Sequence, residues 1–297
     1  MSVNTRERIF AATLLTPCFL FVALFAFYPI LYSFYLSLHK IILGLPSLGQ
    51  PFVWLENYRE LLYDRIALHS LTNTLVFVLT STFFEILLGL VIALVINRHF
   101  RGRGIVRAAI LIPWAIPTVV SSQMWRFIYN DKYGLLNYLL YGSDTVSYTA
   151  WLADPSTAFA AIIIADVWKT SSFAGLLILA GLQVIPDELY EAAKIDGASS
   201  WQQFTRITLP LIKPAILIAL LFRTMDAFRV FDLVFVMTQG GPADSTNVLQ
   251  FYGYKKIFAE GMMGYGSTIS VLVFLVTLVI SLVYIKVIGT RLFKEKG

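Results

Sequence analysis

The sequence predicts an all-α integral membrane protein with six transmembrane helices, and three observations carry that expectation. Of 297 residues, 58% are hydrophobic and only 14% charged, whereas soluble domains are about a quarter charged. Six stretches reach the roughly 20 mostly apolar residues that cross a hydrocarbon core. Lys and Arg collect in alternate connections, as the positive-inside rule requires of a chain that crosses repeatedly.

The first span, residues 9–38, carries no charge at all. It is too long for a signal-peptide core and lacks a cleavage site, so it reads as a retained helix. The second, 71–96, is interrupted only by Glu85, for which the sequence offers no constellation and hence a structural role. The third, 105–129, holds Pro113 and Pro117, which should kink it. The fourth is 158–183, the fifth 211–238 and the sixth 265–288. Tyr28, Trp54, Trp125 and Tyr129 at or near span ends read as interfacial anchors. No tandem repeat or low-complexity tract interrupts the pattern, so residues 1–297 read as a single transmembrane domain with its core at about 66–290.

Orientation follows from the basic residues. Arg98, Arg101, Arg103 and Arg107 follow the second span with no acid among them, and both termini are basic. The connections after the first and third spans are balanced or slightly acidic. Six spans put both termini of this multi-pass membrane protein on one side, the cytoplasm. The net charge of +5 therefore reflects topology and does not point to nucleic acid. A single cysteine, Cys18, excludes a disulfide scaffold and a cysteine-built metal centre. Three dispersed histidines give no metal cluster either.

The connection between the fourth and fifth spans, residues 186–210, is different in kind. Asp187 is placed to cap a helix, with acids suited to its first turn, and Gly197 to end it. Leu189, Ala192, Ala193 and Asp196 fall near one face. Ser199 with Gln202 forms a capping box for a second short helix, which Leu209-Pro210 should stop at the membrane. Glu191-Ala192-Ala193, then three residues, Gly197, nine residues and Ile207-Thr208-Leu209-Pro210 match the EAA signature of binding-protein-dependent ABC import permeases. Over roughly the whole chain the sequence resembles the maltose/trehalose-type sugar permease subunits, including Tyr28-Pro29, Asn57-Tyr58 and Thr238-Gln239-Gly240-Gly241-Pro242.

The resemblance implies the type I ABC importer permease fold. It also implies a coupling helix in which Glu191, Ala192, Ala193, Asp196 and Gly197 serve an ATPase subunit, with Glu191 facing it and Gly197 forming the turn. The implied partners are a second homologous permease subunit, two ATP-binding cassette subunits and an extracytoplasmic sugar-binding protein. The chain has no G-x-x-x-x-G-K-[ST] phosphate loop, so ATP and Mg belong to the partner ATPase and no cofactor is expected here. No nucleophile–histidine or paired-carboxylate pattern suggests that the chain is an enzyme.

Charges inside the spans are the second functional signal, since each costs about 2.5–3.5 kcal/mol at mid-bilayer unless it meets protein or water. Asp166 and Lys169 share a helix face, and Arg223, Asp226, Arg229 and Asp232 recur every third residue. Trp168, Phe173 and Phe228 stand beside them as stacking surfaces for a sugar. The resemblance places sugar contacts in the segments matching 168–173 and 223–230, although it leads one to expect small or neutral residues at 223 and 226. Two readings stay open: a polar passage for sugar, or structural ion pairs that fix helix packing. Rival functions are a glycerol-phosphate importer, disfavoured by the interleaved acids, and an ATP-independent carrier or channel, which leaves the EAA signature unexplained.

Overall fold

In the computed structural model, which describes residues 5–45, 47 and 49–294, the regular elements are helices, with two isolated bridge pairs and no strand among the described residues. They are α1 Thr5–Val22, α2 Tyr28–Ser37, α3 Glu56–Tyr63, α4 Arg65–Asn97, α5 Arg103–Ala115, α6 Thr118–Ile128 and α7 Leu135–Tyr141. There follow α8 Pro155–Leu182, α9 Asp187–Ile195, α10 Ser200–Gln203, α11 Leu209–Ala227, α12 Asp232–Met237, α13 Leu249–Tyr254 and α14 Met263–Lys294. Five helical stretches are long and apolar enough to cross a membrane, and a sixth if the bent pair α5 and α6 forms one span. Glu295 and Lys296, on which the basic C-terminus partly rests, lie outside the described residues.

The chain divides into two compact units. The first joins the described residues up to Arg65 to Tyr252–Leu275. In it α1 and α2 run on through a π turn at Ala23–Phe27, directly before Pro29. Asn57 and Tyr58 close the far end of α2. Asn57 Nδ2 donates to the carbonyls of Ser37 (2.8 Å) and His39 (3.1 Å), and the Tyr58 hydroxyl meets Ser37 Oγ at 2.8 Å. Those carbonyls have no partner within the helix, so a buried amide is what satisfies them. Asp64 accepts from the phenols of Tyr252 (2.5 Å) and Tyr265 (2.6 Å).

The second unit comprises Ile66–Phe251 and the residues from Val276 on. Its centre is the packing of α4, α8 and α11. On α4 a stripe at four-residue spacing, Phe77, Ser81, Glu85, Gly89 and Ala93, is buried. Small residues let the backbones approach, which is how membrane helices gain packing without a hydrophobic driving force between them. A Cβ on Gly89 would lie 2.8 Å from the Gly175 nitrogen, and one on Gly181 would overlap Ala215. Around these crossings Ala93, Ile96, Ile178, Leu179, Leu182, Ile212 and Ala219 form a buried apolar cluster.

The third span bends at its prolines as expected, with α5 and α6 meeting at 91°. Pro117 has no N–H to give the Pro113 carbonyl, so two prolines four apart remove the helical bond at this place. Three other expectations need correction. The fifth span ends at Ala227, because a turn at 228–231 separates it from α12. Leu209-Pro210 does not stop the short helix after Ser199. A π turn at Phe204–Thr208, closed by Leu209 N–H to the Phe204 carbonyl, absorbs the missing proline donor and carries α10 into α11. Tyr129 is not an interfacial anchor: it is 3% exposed and stacked on Trp125 at 5.3 Å.

Candidate functional site

Arg223 on α11 is buried and surrounded by carboxylates from three helices. Its Nε and Nη2 donate to Glu85 Oε2 (2.6 Å) and Oε1 (3.1 Å), a two-point contact with α4. Its Nη1 donates to Asp226 Oδ2 at 2.6 Å, and Asp166 Oδ2 on α8 lies 3.7 Å from Nη2. A buried guanidinium is tolerable only when its donors and charge are met, and the planar fork suits two carboxylates at once. Glu85 is therefore the principal partner of Arg223, not the isolated acid that the sequence suggested. Its partner lies 138 residues away in the chain, beyond the reach of any helical periodicity.

Lys169 does not pair with Asp166 as their shared face suggested. Its ammonium donates to the carbonyls of Pro113 (3.5 Å), Trp114 (3.4 Å) and Ile116, at the break between α5 and α6. These are the carbonyls that two prolines and a helix end leave without donors, and in a bilayer such groups need a protein partner. The charge of Lys169 thus caps the broken span.

A polar cavity of about 110 Å³ opens beside this cluster. Asp166, Lys169, Arg223, Asp226, Arg229 and Asp232 all line it, together with Thr118, Thr170 and the unwound backbone at Val230 and Phe231. The end of α11 and the acid-headed start of α12 face it, so the break supplies backbone polar groups where the side-chain charges converge. Asp226 has 59% of its side chain exposed, and Arg229 and Asp232 are exposed as well, whereas Arg223 is sealed. A volume of this size admits several waters and is below the roughly 300 Å³ of a ligand pocket.

The three aromatic candidates do not join the charges. Trp168 lines a separate apolar groove of about 710 Å³ formed by α4, α5 and α8, and meets Trp125 edge-on at 5.6 Å. Phe173 stacks on Trp114 at 5.2 Å. Phe228 is 5% exposed. Phe231 instead reaches the polar cavity, and no sequence signal pointed to it because the break at 228–231 contains neither Gly nor Pro.

The loop from α8 to α11 projects α9 with none of its residues buried. Asp187 and Glu188 stand in its first turn and Lys194 in its last, matching the helix dipole, but Pro186 rather than Asp187 occupies the capping position. Ala198 N–H bonds to the Ala193 carbonyl (2.8 Å) and Gly197 N–H to that of Lys194 (3.1 Å), the paired bonds of a Schellman ending. Gly197 has φ +77, and an added Cβ would meet nothing within 4 Å, so the requirement for glycine is conformational. The Ser199–Gln202 capping box is present, with bonds of 2.8 and 3.3 Å. Tyr190 ties α9 to the base of α11 through Thr208 at 3.0 Å. Glu191, Ala192 and Asp196 are exposed and Ala193 is half-buried. Ile195 (86% exposed) and Trp201 (71%) leave apolar surface on the same loop.

Residues 85–293 match the family of binding-protein-dependent transport system inner membrane components. The chain is 44% identical over 282 residues to the trehalose/maltose transport system permease protein MalF of Thermococcus litoralis, covering 95% of this chain and 94% of that one. It is 41% identical over 284 residues to the trehalose transport system permease protein SugA of Mycobacterium tuberculosis, covering 95% and 90%. Among solved structures, a chain of a bacterial ABC transporter that imports the acidic polysaccharide alginate shares the fold, with a TM-score of 0.82, 23% identity and 96% of each chain covered.

The burial of the charge cluster sets an order of sensitivity. Glu85→Ala strands a buried guanidinium and should cost about 3–5 kcal/mol. Asp226→Asn breaks a contact whose carboxylate is largely in solvent and should cost about 1 kcal/mol or less. Thermal unfolding of the purified complex checks this, and an equal or reversed ranking would refute the assignment of Glu85 as the anchor.

Proposed function

Because the chain belongs to the family of binding-protein-dependent transport system inner membrane components, we propose that it is the permease subunit of an ATP-driven importer for a trehalose- or maltose-like glycoside. The observation that carries this reading is α9: an exposed, Schellman-ended helix bearing Glu191-Ala192-Ala193 and Gly197, set between two long apolar helices. In this reading α9 docks on an ATPase subunit, and closure of two such subunits around ATP and Mg tilts α8 and α11. A second, homologous permease subunit completes the passage, and an external binding protein delivers the sugar.

The cargo path runs along the exposed members of the polar cavity, Asp226, Arg229 and Asp232, with Phe231 as the aromatic surface there and Trp168, in the separate apolar groove, as a second. The cavity's ionisable lining balances three acids against three bases, which favours a neutral, hydroxyl-rich solute over a phosphate. The cavity is smaller than a disaccharide, so sugar occupies space shared with the second permease subunit. Arg223, Asp166 and Lys169 hold the helices that form the path.

Three outcomes test this. Glu191→Ala should leave the complex assembled and abolish sugar uptake; normal uptake with the ATPase still bound would rule out coupling through α9. Asp226→Asn and Trp168→Ala should assemble, keep basal ATP hydrolysis and lose uptake or change which sugars are carried. Assembly loss that is rescued by exchanging Arg223 and Asp226 would remove Asp226 from the path. With both termini cytoplasmic, cysteines introduced near either terminus should resist an impermeant thiol reagent in intact cells while one at Ser143 reacts, and labelling of a terminus would overturn the topology.

A further inference from the structure

The turn between α4 and α5 concentrates positive charge that nothing among the described residues neutralises. Arg98, Arg101, Arg103 and Arg107 lie within ten residues, and no acid occurs between Glu85 and Asp131. None of the four forms an ion pair among the described residues. Two of them converge: Arg103 Nε donates to the Ile96 carbonyl at 2.8 Å, and Arg107 Nη2 approaches the same oxygen at 3.4 Å. The negative end of the α4 dipole, equivalent to about half a charge, cannot neutralise two guanidiniums held together on one acceptor.

Two further features point to an anion. The Nε of Arg107 is buried without a hydrogen-bond partner. The helix α5 follows Gly102 with no side-chain cap, and although the Arg103 and Ile105 N–H groups donate to the Phe100 and Gly102 carbonyls, the positive end of its dipole faces the same turn. Arg98 and Arg101 are exposed at the rim. Phe100 and Ile105, both exposed, put apolar side chains beside the arginines, an arrangement suited to the boundary between headgroups and acyl chains.

We propose that this turn binds the phosphate of an anionic phospholipid, with Arg103 and Arg107 as its inner ligands, Arg98 and Arg101 as its rim, and Phe100 and Ile105 against the acyl chains. The site rests on α4 and α5 entering the bilayer, and not on the identity of the cargo. Juxtamembrane clusters of four or more Arg or Lys recognise acidic headgroups in this way. The free phosphate ion offers the same chemistry without the acyl chains, and the apolar pair argues for the lipid.

The test uses the whole complex, purified with its partner subunits and equilibrated in detergent with equal phosphatidylglycerol and phosphatidylcholine. Native mass spectrometry then counts retained lipid. Wild type should retain phosphatidylglycerol about fivefold over phosphatidylcholine, and Arg103→Gln/Arg107→Gln should bring that below about twofold. Arg98→Gln/Arg101→Gln, which spares the inner pair and the helix end, should give an intermediate preference and decides the matter if the inner variant does not assemble. Equal retention by wild type and variants, or no preference in wild type, would overturn the site. Displacement of the lipid by millimolar inorganic phosphate would overturn the lipid assignment. The readout involves neither sugar nor ATP, so a failed importer reading would leave this result standing.

Discussion

A guanidinium withdrawn from water between three helices constrains most of the second unit. Arg223 is held at two points by Glu85 of α4 and at one by Asp226, with Asp166 of α8 at 3.7 Å. Removing any one helix from this set would leave a charge with no solvent to receive it, so the crossing of α4, α8 and α11 is fixed where the charges meet. The close approaches at Gly89 and Gly181 fix the same three helices closer to α9. Lys169 extends the constraint to α5 and α6, because the break between them is stable only where a cation covers its carbonyls.

The same helices carry the loop that we propose docks on an ATPase. α8 leads directly into α9, and α10 runs through a π turn into α11 without interruption. Tyr190 to Thr208 ties the loop back onto that continuous helix. Movement imposed on α9 is therefore delivered to two helices already joined by Arg223. Two of the π turns in the chain stand immediately before a proline, Pro29 and Pro210, and in each the wide turn accommodates a residue that has no N–H to offer.

Much of this was legible from one-dimensional pattern. Apolar runs of about 20 residues located the long helices, since nothing else in a protein needs that length without charge. The loop between α8 and α11 was legible in its capping box and glycine turn, because those features depend only on neighbours within five residues. What the sequence concealed were relations across distance. Glu85 looked isolated because its partner is on another helix, and Lys169 looked like the partner of Asp166 because helical spacing cannot see the carbonyls of α5. The break at 228–231 was invisible because it contains neither Gly nor Pro: it is closed by turn bonds from the Arg229 and Val230 N–H groups to the Asp226 and Ala227 carbonyls. Hydropathy alone carried the span eleven residues too far, to 238 instead of 227.

The balance of charge around that cavity has an electrical consequence. Moving one elementary charge across the membrane potential changes the energy by about 2.3 kcal/mol per 100 mV. Three acids and three bases in the lining amount to a set of opposed dipoles, and only Glu85, pinned against Arg223, adds an uncompensated unit. A passage built this way can switch its opening from one side to the other while displacing little net charge. In the proposed importer, turnover is then set by the chemical work of the ATPase and is nearly indifferent to whether the cell is energised or depolarised.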